Sequence, residues 1–195
     1  MNKLRAIIGV LLLSTIVMAF ASVTRPRLEK VESLKVKPMA IVTPVIEVET
    51  IKLITKSHHA FLDAIGHRES SGNYKAVNRY GYLGKYQFGR STLEHLKFNV
   101  TQEEFLNNPL LQEKAMQKLL LANKKSLRKQ IKKHSGTVVH GIYITESGLL
   151  AAAHLGGAGS VRKFLRNGYE FKDGNGTKLT SYMELFAGYT LDLNE

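Results

Sequence analysis

The chain has 195 residues, 28 Lys and Arg against 16 Asp and Glu, a net charge of +12 and no cysteine. Its length suits one compact domain with additional segments, and 44% apolar with 23% charged residues excludes both a disordered chain and a polytopic membrane protein. The positive excess favours polyanionic partners without choosing among nucleic acid, anionic lipid and acidic wall polymer, while the lack of cysteine excludes disulfides and a lipoprotein anchor.

At the N-terminus, Lys3 and Arg5 precede an apolar run from Ala6 to Phe20, and the small-residue pattern Ala19-Phe20-Ala21 follows. This is the layout of a secretory signal peptide, and the run through Val23 is also about the minimum length of an uncleaved membrane anchor. Residues 1–23 are therefore expected to be a signal peptide or an N-terminal anchor, which puts the chain in the periplasm or elsewhere in the cell envelope. Residues 24–56 hold Pro26, Pro38 and Pro44 among lysines and β-branched residues without a sustained helical period, and read as a linker. A single folded domain is expected over 57–195.

That domain opens with a helix: Ser57 is a suitable N-cap, Phe61, Leu62 and Ile65 form an apolar stripe, and Glu69 falls at the end. From Ser70 to Gly89, glycines alternate with Tyr74, Tyr80, Tyr82 and Tyr86, a pattern too irregular for a long helix. Further helices are expected over Arg90–Leu96, Thr101–Phe105, Pro109–Leu121, Ser126–Lys133, Glu146–His154, Gly159–Asn167 and Thr180–Tyr189. The fold class is mainly α.

Glu69 is the residue best placed for chemistry. At the end of an apolar helix and beneath a tyrosine-lined loop it would be partly withdrawn from water, as a carboxylic general acid must be to keep its proton. Glycosidases with two carboxylates need a second acid nearby. None suggests itself here: no Asp or Glu lies between Glu69 and Glu94, Asp63 sits on another face of the helix, and Glu146 reads as an ordinary first-turn helix acid. A single acid suits intramolecular chemistry.

The stretch from Ala64 to Tyr74, with Glu69-Ser70 at its centre, resembles the start of the catalytic domain of the soluble lytic transglycosylase and goose-type lysozyme superfamily. Gly81-Tyr82-Leu83-Gly84-Lys85-Tyr86-Gln87 is similar to that family's Gly-x-x-Gly-x-x-Gln segment, Ala152-Ala153-His154-Leu155-Gly156-Gly157 to its Ala-Ala-Tyr-Asn-x-Gly block, and Thr180-Ser181-Tyr182, with one residue fewer between Thr and Tyr, to a late Thr-x-x-Tyr element. The resemblance implies a lysozyme-like globular domain with a deep glycan cleft that cleaves peptidoglycan. Glu69 would be its acid/base. Ser70, Tyr86, Gln87, His154 and Tyr182 would contact the substrate, with His154 standing where the family's Tyr-Asn pair begins. Intramolecular attack would leave a 1,6-anhydromuramyl end, whereas attack by water would make the enzyme a hydrolytic muramidase. A catalytically silent wall-binding module is the third reading. Read from the residues alone, Tyr86 could equally be a core tyrosine, and Tyr182 could belong to an apolar helical face with Leu185, Phe186 and Tyr189.

Lys124, Lys125, Arg128, Lys129, Lys132 and Lys133 form a cationic run, either a solvated face or a contact for anionic wall polymers or a membrane surface. Nucleic acid is not expected in an exported chain whose basic cluster lacks interleaved aromatics. The histidines show no metalloprotease spacing and Asp173-Gly174-Asn175-Gly176-Thr177 lacks a full calcium-ligand set, so it reads as a turn. Neither metal nor cofactor is expected.

Overall fold

The computed structural model describes residues 56–193. The expected signal or anchor segment and the linker through residue 55 lie outside the described residues. Helix α1, His58–Ser70, starts where Ser57 accepts a hydrogen bond from the Ala60 N–H at 3.3 Å, and it buries Phe61 and Ile65 one turn apart. Its end is closed twice. Ser71 donates to the His67 carbonyl and Gly72 to the Gly66 carbonyl, with Ser71 left-handed at φ 55°, so a left-handed cap satisfies two of the helix's last carbonyls.

Two short helices follow, α2 over Arg90–His95 and α3 over Gln102–Leu106; Thr101 and Glu104 form a reciprocal capping box at the start of α3. The long helix α4 spans Pro109–His134, with Asn108 as N-cap and Pro109 in the first turn. Ala115, Met116, Leu120, Asn123 and Leu127 fall on its buried stripe. Two helices were expected here, over Pro109–Leu121 and Ser126–Lys133. They are one, because neither Gly nor Pro interrupts the intervening residues and Asn123 and Leu127 continue the buried face.

After α4 a small hairpin pairs β1, Val138–Val139, with β2, Ile142–Tyr143, through His140 and Gly141, both at positive φ. This is a two-residue turn whose twist matches the strands. Helix α5, Glu146–Asn167, is capped by Thr145 and is central to the fold: every residue from Ser147 to Ala153 is buried. Gly157, at φ 77° and ψ 156°, kinks it. The two expected helices, Glu146–His154 and Gly159–Asn167, are therefore its two halves. Helix α4 packs along α5, and the last helix, α6 over Leu179–Leu185, packs on it as well. A methyl group on Gly148 would lie 2.5 Å from the Met183 carbonyl oxygen, so glycine is what lets α6 approach so closely. Helix α6 is shorter than the expected Thr180–Tyr189; the chain turns away at Phe186 and Gly188, leaving Leu185 55% exposed instead of on an apolar face. The core closes with edge-on ring contacts, Phe61 on Phe186 at 6.0 Å and Phe88 on Phe105 at 5.8 Å. No helix among the described residues is long and apolar enough to cross a membrane.

Candidate active site

Glu69 occupies the last turn of α1, and the left-handed cap at Ser71 right after it turns the chain away and leaves the carboxyl in the lining of a cavity of about 550 Å³. The cavity is lined by Glu69, Gln87 and His154, by the loop over 78–82, by the start of α2 and by the turn over 173–175. Only 16% of the Glu69 side chain is exposed.

Two groups attend its Oε1 oxygen. The Tyr182 hydroxyl, carried by α6, donates to it at 2.6 Å. His154 Nε2, from α5 just before the kink, lies 3.6 Å from the same atom. The His154 ring stands edge-on to Phe88 at 6.1 Å, and its Nδ1 is buried with no partner among the described residues. Burial first, and then the charge of Glu69, raise the Tyr182 phenol above its ordinary range, so at neutral pH it is a donor. No hydrogen bond among the described residues engages the other carboxyl oxygen, Oε2.

The glycine-rich loop is held by a polar network on the side away from this cavity. Leu83 and Phe88 exchange backbone hydrogen bonds, and inside that tight turn Gly84 and Gln87 are both left-handed. Gln112 of α4, fully buried, accepts from the Lys85 N–H and donates to the Tyr74 and Phe105 carbonyls. The Lys85 ammonium, also buried, bonds Glu113 at 3.0 Å and Asp63 at 3.2 Å, while the Tyr74 and Tyr86 hydroxyls donate to the two oxygens of Glu113 at 2.6 Å each. Burial opposes ionisation of both charged partners most strongly. The hydrogen bonds outweigh it, holding Glu113 below the usual carboxylate range and Lys85 above the usual lysine range.

This network corrects the expectation for Tyr86. Its ring is wholly buried and its hydroxyl is on Glu113, so it offers no face to a sugar. The left-handed backbone at Gln87 sends consecutive side chains to opposite sides: Tyr86 goes into the core, and Gln87 goes to the cavity, where its Nε2 donates to the Gly84 carbonyl at 2.9 Å. Ser70 is likewise turned from the cavity, and its hydroxyl donates to the Lys85 carbonyl at 2.9 Å, tying the end of α1 to the loop. Tyr182 lies behind Glu69 instead of lining the cavity. Of the expected residues, then, Glu69, Gln87 and His154 meet at the cavity, Tyr182 supports Glu69, and Ser70 and Tyr86 support the scaffold.

The residue chemistry and its order along the chain match a known domain. The Transglycosylase SLT domain family model matches residues 49–175. The chain belongs to that family. No curated protein and no solved structure matches the chain. Membership of the SLT family implies cleavage of peptidoglycan of the lytic transglycosylase type, with peptidoglycan as the substrate. The match ends before Tyr182, so the bond from Tyr182 to Glu69 is what the structure adds to this SLT domain. Residues that the sequence reading did not anticipate also line its cavity: Asn78, Tyr80, Arg90 and the turn at Asp173, Gly174 and Asn175. Their legible signal was turn chemistry, which marks a bend without saying what the bend faces. No group of three or more His, Asp or Glu gathers among the described residues where a metal ion could be held.

Proposed function

We propose that the chain is a peptidoglycan lytic transglycosylase that cleaves the β-1,4 bond between N-acetylmuramic acid and N-acetylglucosamine, with Glu69 as acid and then base. The observation that carries this reading is the asymmetric support of Glu69 at the cavity: Tyr182 holds Oε1 at 2.6 Å while no hydrogen bond among the described residues engages Oε2. The other carboxylate lining the cavity belongs to Asp173, whose Oδ1 accepts the Asn175 and Thr177 N–H groups and so shapes its own turn.

The reaction then needs one carboxyl used twice. Glu69 protonates the glycosidic oxygen, the C1–O bond breaks with its electron pair leaving on the N-acetylglucosamine 4-oxygen, and the muramic N-acetyl oxygen bonds to C1. The Glu69 carboxylate next takes the proton of the muramic 6-hydroxyl as that oxygen attacks C1 and displaces the acetyl oxygen. A 1,6-anhydro ring results, and Glu69 regains its proton. Gln87 and His154 would orient the sugars across the cavity. The substrate lies outside the cytoplasm, so the reading includes export through residues 1–23, by signal peptide or by anchor.

The test is mass spectrometry of purified peptidoglycan digested with the chain and, in parallel, with Glu69→Gln. Anhydromuropeptides should form with the parent and fall by at least about 100-fold in the variant, the scale of a lost acid/base, with glycan binding unchanged. Reducing muramic ends would make the enzyme a hydrolase. Binding without any Glu69-dependent product would make the domain a wall-binding module.

A further inference from the structure

Two loops that line the cavity, over 78–82 and 173–175, are joined to one another. Arg79 donates from one guanidinium nitrogen to the Tyr80 hydroxyl at 2.7 Å and to Asn175 Oδ1 at 3.0 Å, and the Tyr80 hydroxyl donates to the Gly174 carbonyl at 3.3 Å. These partners come from segments about 95 positions apart, and Tyr80, Gly174 and Asn175 all line the cavity that holds Glu69.

Both sides of the contact are built in advance. Asp173 Oδ1 accepts the Asn175 and Thr177 N–H groups, and Lys172 bridges to Lys178, so the 173–177 turn is shaped without help from the opposite loop. On the other side Asn78 Oδ1 accepts the Tyr80 and Tyr82 N–H groups and fixes the bend that presents Arg79 and Tyr80. Between these two rigid turns the joining bonds themselves are exposed, with Tyr80 51% exposed, so water can replace them readily.

The contacts close a circuit. From Glu69, the Ser70 hydroxyl leads to the Lys85 carbonyl and the glycine-rich loop, and that loop leads to Arg79 and Tyr80. The circuit crosses to Gly174 and Asn175 and passes to Phe171, whose ring packs so tightly on Gly156 that a methyl there would lie 2.7 Å from it. It returns through Leu155 and His154 to Glu69. Residues from each arc line the one cavity.

We infer that Arg79, Tyr80, Gly174 and Asn175 form an openable strap across the cleft that decides which part of a glycan polymer reaches Glu69. With the strap closed, a strand enters only by threading a free end; with it open, the interior of a strand can be laid in from the side. The inference rests on the cleft being a glycan site, and its test reads binding so that it does not depend on cleavage.

Because the chain has no cysteine, Arg79→Cys together with Asn175→Cys creates a single thiol pair that a short bis-maleimide can join across the strap. Association rates are measured for uncross-linked glycan strands with free ends and for the same strands with a bulky protein on both ends. Relative to the same double-cysteine protein before cross-linking, the cross-linked protein should bind free-ended strands at an equal rate but lose at least about tenfold in association rate with capped strands, because access from the side is closed. Arg79→Ala together with Tyr80→Phe, which removes every bond of the strap, should bind capped strands at least as fast as the parent. Capped strands binding equally fast to the cross-linked protein would overturn the strap, as would loss of free-ended strands together with capped ones, since the contact would then plug the cleft and not gate it. Gating of binding with no anhydro product would leave the strap standing and remove the transglycosylase reading.

Discussion

One oxygen of Glu69 is held and the other is not, and this difference predicts the effect of a single hydroxyl. In Tyr182→Phe the ring still fills its place, 3% exposed beside Phe186, and the hydroxyl is lost with its donation to Oε1 and its interaction with Arg68. kcat should drop by about 10- to 100-fold, the factor for one charge-assisted hydrogen bond of about 1.5–3 kcal/mol, with KM nearly constant; steady-state kinetics on solubilised glycan strands would show it, and an unchanged kcat would remove Tyr182 from the site. At this scale the sequence was informative in an uneven way. Glu69 stood out because a carboxylate at a helix end precedes a loop of glycine and tyrosine. Which of Tyr86 and Gln87 faces the cavity was not legible, because it depends on the sign of φ at Gln87, and a non-glycine residue carries no mark of a left-handed backbone.

Among the elements, α5 shows how a glycine places chemistry. Gly157 has a φ and ψ pair open to hardly any residue but glycine, and this bend comes three residues after His154. Gly157→Ala meets no steric neighbour, so its effect should be backbone strain alone, about 1–3 kcal/mol of destabilisation by chemical denaturation. A neutral effect would mean that the helix tolerates being straight. The glycine cluster over 156–159 marks the break in the sequence, whereas the break expected in α4 between Leu121 and Ser126 has no such glycine and does not occur. The β1–β2 hairpin passed unread, although His140-Gly141 between pairs of β-branched and aromatic residues is a two-residue turn signal. Strands of two residues are too short to show an alternating pattern.

The whole molecule is held together without disulfides, and part of its stability should titrate. The contribution of Glu113 is complete above its unfolded value of about 4.3 and is lost as pH falls through its lower folded value. Lys85 and Tyr86, both raised, contribute fully below about pH 10 and lose that contribution as pH rises. Thermal melts should therefore be level from about pH 5 to 9 and decline on either side. Glu113→Gln should lower the plateau by about 2 kcal/mol, less than for a fully buried pair because Glu113 is 31% exposed, and should make the acid decline shallower. An acid limb of unchanged steepness would show that other carboxylates govern it. Fold class and helix order were legible at this scale, since apolar periodicity reports burial directly. The polar network was not, because Lys85, Gln112 and Glu113 look like solvated residues until three-dimensional packing brings them together.

The contacts beneath that network also restrict how the protein can diverge. A methyl on Gly66 would meet the Lys85 alkyl chain at 2.5 Å, and one on Gly84 would run into the Gln112 amide. In each pair a missing side chain on one segment makes room for a long one on another. Substitution at Gly66 is open only to a lineage that has already shortened Lys85, so these two positions should drift as a linked pair, each the permissive background for the other, whereas Gly84, at φ 73°, stays closed to other residues even when Gln112 is shortened.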